Sequence, residues 1–168
     1  MPFQFKYDSI ENYLKSYGKY ILRQARKILS KRKATGKLSK SLRAKVEDDK
    51  GSLTLRFYAS KYADYINKGV AGTRGSRTYL DVRGKRLRSP YKFTSSSDLR
   101  GLEGATGLFA KWAERKGIKS SNISNKSLGF AIAEGVKRKG IPAASFYTQP
   151  ISYSYKIFRK ELEKNFKK

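Results

Sequence analysis

Apolar side chains recur every three or four positions through Ile10, Leu14, Tyr17, Ile21, Ala25 and Ile28. That spacing is one stripe of an α-helix, predicted from Asp8 to about Lys33. Lys15, Lys19, Arg23, Arg26 and Lys27 project on the far side, so one face packs while the other is solvated or meets an anion. Asp8 or Ser9 can cap the start, Glu11 sits near the positive end of the helix dipole, and the helix stops before Thr35 and Gly36.

The period then changes to two. Leu42 to Asp48 and Ser52 to Ala59 alternate in character around Asp49, Lys50 and Gly51, which predicts a β-hairpin. Leu53, Leu55 and Phe57 point one way and Thr54, Arg56 and Tyr58 the other, giving a sheet for the first helix to cover. Lys61 to Lys68, with Tyr62, Tyr65 and Ile66, is a short helical turn ended by Gly69.

Residues 70 to 104 have a different texture, with glycines at 72, 75, 84, 101 and 104 and serines at 95 to 97. The expectation here is an exposed basic excursion. It contains a second hairpin, with Tyr79 to Val82 facing Leu87 to Phe93 around Arg83 and Gly84, and Pro90 limits its second strand to an edge. Further on, Leu108, Phe109 and Trp112 mark a helix over about Gly107 to Lys116. Leu128, Ile132 and Val136 mark another over about Lys126 to Lys139, capped by Asn125 and ended by Gly140 and Pro142. Ile151, Tyr155, Phe158, Leu162 and Phe166 predict a last helix starting near Pro150. No repeat and no sharp break in composition marks a domain boundary. The reading is a single α+β domain: a small antiparallel sheet packed by a long N-terminal helix and further C-terminal helices, with 70–104 as a basic loop or hairpin insertion.

Composition bears on the partner. The chain has 168 residues, 38% apolar and 13% aromatic, enough for a core, and carries a formal net charge of +26. From Asn12 to Val46 there are twelve lysines and arginines and no acid. Charge so unbalanced belongs beside a polyanion, of which nucleic acid is the commonest. Cysteine and histidine are absent, which excludes disulfides, thiolate metal sites and imidazole chemistry. Met1 to Tyr7 lacks the apolar run of a signal peptide, and no segment approaches the roughly 18 apolar residues of a membrane span. A cytoplasm-like compartment is expected.

Candidate chemistry is sparse. Glu47, Asp48 and Asp49 form the one acid cluster that could hold Mg²⁺ for a nuclease, but adjacent acids at a turn are ordinary hairpin chemistry. Ser16 with Lys19 and Ser30 with Lys33 match a Ser-x-x-Lys nucleophile spacing, which arises by chance in a chain rich in both residues. Gly69 to Gly75 lacks the Gly-Lys-Ser/Thr ending of a phosphate-binding loop. No enzyme activity, cofactor or metal is expected. The contact candidates are instead Arg74, Arg77, Arg83, Lys85, Arg86, Arg88 and Lys92, interleaved with Tyr79, Tyr91 and Phe93, together with Lys15, Lys19, Arg23 and Arg26 on the first helix. Arginines on a projection suit phosphate contact, and no helix-turn-helix, zinc-finger or single-strand-binding signature accompanies them, so sequence is not expected to be read.

Three motifs in order resemble the tail-completion or head-tail joining (neck) proteins of tailed double-stranded DNA bacteriophages. Thr35-Gly36-Lys37-Leu38-Ser39-Lys40-Ser41-Leu42 looks like the family's TG-x-L-x-x-S turn. Tyr62-Ala63-Asp64-Tyr65-Ile66-Asn67-Lys68-Gly69 is similar to its YA-x-Y-x-x-x-G segment. Lys139-Gly140-Ile141-Pro142-Ala143-Ala144-Ser145-Phe146 is similar to its G-I-P-x-x-x-F approach to the last helix. The Trp112 helix with Lys116-Gly117-Ile118 resembles a feature of some members. The chain departs from the family in its insertion between Gly69 and Leu108 and in its very high charge. The resemblance implies a non-catalytic virion protein made in the host bacterial cytoplasm, a ring homo-oligomer touching portal or adaptor and tail proteins, with double-stranded DNA passing through. On charge and Tyr/Arg content alone, the alternative is a cellular sequence-nonspecific nucleic-acid-binding protein of ribosome-associated or nucleoid type.

Overall fold

A computed structural model describes residues 9–31 and 36–166. In chain order these form α1 (Ile10–Ser30), α2 (Lys37–Ser41), β1 (Arg43–Asp49), β2 (Ser52–Tyr58), α3 (Ala63–Lys68), β3 (Val70–Ala71), β4 (Thr78–Leu80), β5 (Arg86–Arg88), α4 (Leu99–Thr106), α5 (Leu108–Arg115), α6 (Asn125–Lys139), β6 (Gly140–Ile141) and α7 (Thr148–Phe166). The chain is α+β, with three two-stranded sheets among the described residues. Its described residues divide by their contacts into two compact units: those within 1–63, 80–86 and 145–168, and those within 64–79 and 87–144.

In the first unit the predicted stripe is real but shifted. Tyr13, Leu14, Tyr17, Ile21, Leu22, Ala25 and Leu29 of α1 are buried, whereas Ile10 is exposed and Ile28 only half-buried. Ser9 caps the helix by accepting from Asn12 N at 3.2 Å. The hairpin β1–β2 pairs in register from Arg43 opposite Tyr58 to Asp49 opposite Ser52. Lys50 and Gly51 turn it with φ of 52° and 85°, the two left-handed residues of a type I′ turn. Leu53, Leu55 and Phe57 lie on the covered face, as predicted. Gly18 of α1 admits Leu55 and Ala44 so closely that a Cβ there would stand 3.0 Å from Leu55 Cδ1.

The last helix closes this unit. Phe158 lies against Tyr13 and Tyr17, with ring centroids 5.3 and 4.2 Å apart. Ser154 Oγ donates to Pro150 O at 2.7 Å and bonds Tyr17 Oη at 2.8 Å, so the buried phenol is satisfied, and burial pushes its pKa up. Tyr155, expected on the apolar stripe, is instead exposed. Phe146 is fully buried beside Tyr147, whose phenol burial raises to about 12.

The second unit corrects the picture of residues 70 to 104 as one exposed excursion. Val70 and Ala71 pair antiparallel with Ile141 and Gly140, and Phe93 N and Ala71 N bond across to Ala71 O and Tyr91 O, each at 2.8 Å. The segment thus starts inside the unit. It also contains α4, which the glycines at 101 and 104 hid: Asp98 Oδ1 accepts from Gly101 N at 2.6 Å and caps the helix. Glu103 of α4 is buried and accepts from Phe109 N at 2.6 Å and Ala110 N at 3.1 Å, satisfying the first turn of α5. Helix α6 packs on both α4 and α5 through Gly129 and Ala133. Its cap is Ser124, not Asn125, because Ser124 Oγ accepts from Ser127 N at 3.1 Å. The second predicted hairpin, whose residues 80–86 group with the first unit, exists but is shorter than expected. β4 and β5 are three residues each, and the strand ends at Arg88, before Pro90.

Candidate nucleic-acid interface

The β4–β5 hairpin carries a dense run of exposed cations. Arg83, Lys85, Arg86 and Arg88 are all exposed, and so are Arg74 and Lys92. The one acid of this stretch, Asp81, forms no ion pair with any of them. Its Oδ1 accepts from Arg83 N at 2.9 Å and Lys85 N at 2.7 Å, while Asp81 N donates to Lys85 O and Gly84 N to Asp81 O. The carboxylate is spent on the turn's own backbone. Among the described residues none of these six cations pairs with a carboxylate.

The α1 candidates divide. Lys19 and Arg23 stay exposed and line a shallow face with Ser16 and Tyr20. Lys15 pairs with Glu11 one turn earlier, an exposed pair worth little. Arg26 is not a free contact residue: its Nη2 donates to Leu42 O at 3.0 Å and its Nε to Ser39 O at 3.4 Å, tying α1 to the end of α2.

Arg77 is likewise partly internal. Its Nη2 reaches Gly140 O at 3.5 Å, and its Nε is buried without an acceptor among the described residues. Arg77 and Arg74 line an open cleft of about 370 Å³ together with Gly75, Ser76, Gly135, Arg138 and Lys139. Arg138 and Lys139 are not among the contact candidates that the sequence offers. Their one signal is the run Lys137-Arg138-Lys139 in the last turn of α6, where cations favour the helix dipole anyway.

The motif residues are structural in placement. Thr35 lies outside the described residues, as does Lys33. Gly36 is left-handed with φ 72° and precedes α2, where Leu38 is buried. Tyr62 is exposed and Ala63 buried. Gly69, with φ 74°, would put a Cβ 2.7 Å from both Ala143 N and Ile141 O, so the end of the second motif lies on the start of the third. Ala144 N donates to Ile66 O at 2.8 Å, and Ser89 Oγ to Gly69 O at 2.7 Å. Pro142 is exposed, Ile141 half-buried and Phe146 wholly buried.

The acids are occupied too. Glu47 accepts from the Tyr58 hydroxyl at 2.6 Å and pairs with Arg56 at 3.0 Å; that hydroxyl first, and the cations after it, hold its carboxyl below the ordinary range. Asp48 Oδ1 accepts from Gly51 N at 2.9 Å. Neighbouring strand residues point to opposite faces, so the two do not converge on an ion. Among the described residues no three His, Cys, Asp or Glu side chains are placed together so that they could hold a metal ion. In the second unit Asp64 binds the Tyr91 hydroxyl and Lys68 Nζ, the latter at 2.9 Å. Burial pushes the Asp64 carboxyl up, but these two hydrogen bonds outweigh it and leave the group below its ordinary value.

No family model, curated protein or solved structure matches the chain.

Proposed function

We propose that this chain is a non-catalytic structural protein of the neck or tail-completion complex of a tailed bacteriophage, a ring subunit joining portal to tail around the DNA channel. The observation that carries the reading is the β4–β5 hairpin, which presents Arg83, Lys85, Arg86 and Arg88 with its only carboxylate turned onto its own backbone. The order of the three motifs supports it from the sequence side. DNA of any sequence must slide through such a channel. Long exposed side chains that meet phosphates without reading base edges supply attraction that is diffuse and salt-screened. The expected partners are further copies of the chain, portal or adaptor proteins, tail proteins and double-stranded DNA.

Electron microscopy of the purified protein at high concentration, with mass spectrometry of purified virions, tests the proposal. Rings and a virion-borne chain are expected. A protein that stays monomeric and never enters particles would refute it. Titration against DNA and RNA at several salt concentrations separates it from a cellular nucleic-acid binder. Weak binding to both, falling with log salt by about 0.9 per phosphate contact on duplex DNA, fits the neck role. Tight, RNA-selective binding would favour the cellular alternative.

A further inference from the structure

The cleft bounded by Arg74, Arg77, Arg138 and Lys139 differs in kind from the hairpin's diffuse charge, because backbone packing holds its walls. Residues 72–75 cross the C-terminal turn of α6: Thr73 N donates to Lys137 O and Arg74 N to Arg138 O, both at 3.0 Å, and Gly72 N closes the loop onto Gly75 O at 2.8 Å. The crossing is tight enough that a Cβ on Gly72 would stand 2.1 Å from Arg138 O, and one on Gly75 2.9 Å from Lys139 O. Both neighbours are backbone, so the 72–75 segment and the helix end are fixed against each other.

This crossing has a chemical consequence. The last carbonyls of a helix ordinarily accept from nearby lysines and arginines. Here the carbonyls of Lys137 and Arg138 accept from backbone N–H groups, and of the cleft's four cations Arg77 alone, among the described residues, spends a donor on a carbonyl, its Nη2 on Gly140 O at 3.5 Å. None of the four pairs with a carboxylate among the described residues, and Arg77 Nε is buried without an acceptor. That Nε is out of reach of solvent and is not one of the donors the cleft presents. The guanidinium forks of Arg74 and Arg138 and the Lys139 ammonium suit phosphate oxygens, and with the charge of Arg77 the four positive charges exceed what a single phosphodiester can neutralise.

We propose that this cleft is a discrete binding site for closely spaced phosphate groups, supplied by the backbone of a nucleic-acid strand. The phosphate chemistry follows from the cleft itself; the nucleic-acid source rests on the proposed function. The test uses the full chain and two double variants of equal charge, Arg74→Ala with Arg138→Ala in the cleft and Lys156→Ala with Lys160→Ala on α7. All four side chains are exposed, so both variants should keep the parent circular dichroism. Tripolyphosphate binding is followed by calorimetry and binding of a short labelled DNA duplex by fluorescence anisotropy, both at about 0.1 M salt, where exposed charges more than about 10 Å apart are largely screened. The cleft variant should weaken both ligands at least tenfold and the α7 variant less than twofold. Equal losses in the two variants would reduce the effect to net charge and overturn the site. So would full retention of duplex binding by the cleft variant, which leaves the nucleic-acid reading standing. Cleft-dependent tripolyphosphate binding with no duplex binding even at low salt would uphold the phosphate site and overturn its nucleic-acid source, and with it the DNA-contact reading.

Discussion

Replacing Gly72 by alanine probes the crossing that builds the cleft. The added Cβ would lie 2.1 Å from Arg138 O, 2.5 Å from Arg138 C and 2.6 Å from Gly140 N, and none of these belongs to a flexible side chain. Restoring ordinary contact at about 3.4 Å requires the two segments to part by roughly 1.3 Å. That displacement breaks the bonds from Thr73 N to Lys137 O and from Arg74 N to Arg138 O. Each is worth about 1 kcal/mol net, and forcing extra volume into packed backbone adds about 1–3 kcal/mol. The alanine returns about 0.4–1 kcal/mol by restricting the unfolded chain. The expected net loss is about 2–4 kcal/mol, a fall in Tm of roughly 5–15 °C for a chain of this size. Gly135→Ala is the matched control: it lies in α6, lines the same cleft, and its Cβ would meet nothing within 4 Å. It should be stabilising by about 0.5–1 kcal/mol, the helix-interior preference for alanine. Urea denaturation followed by circular dichroism reads both. A Gly72→Ala protein within 1 kcal/mol of the parent, or a Gly135→Ala protein as damaged as Gly72→Ala, would refute the argument that close backbone approach fixes the cleft.

Three further outcomes are expected. Glu103→Ala strips the acceptor from Phe109 N and Ala110 N and should cost about 2–3 kcal/mol in urea melts, with Glu103→Gln costing less because one amide oxygen can still accept. Arg26→Ala should cost about 1.5–3 kcal/mol by freeing Leu42 O, whereas Arg23→Ala should stay within about 0.5 kcal/mol, and thermal melts of the pair separate a structural cation from a surface one. The depressed pKa of Asp64 gives stability that is present above the unfolded carboxylate value and lost as pH falls through the lower folded value. Tyr91→Phe removes one of the two hydrogen bonds that depress it, so an NMR titration should find the Asp64 midpoint moved up and the acid limb of the stability curve moved with it; an unmoved midpoint would discount the Tyr91 bond.

The local elements were legible because their causes are local. The stripe of α1, the alternation of β2 and the left-handed turn at Lys50 and Gly51 each follow from a few adjacent residues and survive in the structure with small shifts. Helix α4 was not legible. Gly101 and Gly104 argue against a helix, and what favours it is the Asp98 cap together with the bonds Glu103 makes to the next helix. The pairing of Val70–Ala71 with Gly140–Ile141 was hidden for another reason: strands of two residues have no period to detect, and their partners lie about seventy positions apart.

The candidate site shows the same division. Sequence alone determined that this chain carries +26, that its cations outnumber any acids able to neutralise them, and that residues 74 to 92 concentrate them. Which of those cations are free was decided by tertiary structure. Arg26 is spent on Leu42 O, Asp81 is withdrawn onto its own turn, and Arg74 and Arg77 meet Arg138 and Lys139 in one cleft. Charge is a property of each residue and can be counted along the chain. A hydrogen-bond partner, or a backbone approach that only glycine allows, is a property of two segments at once and exists only after they have folded together.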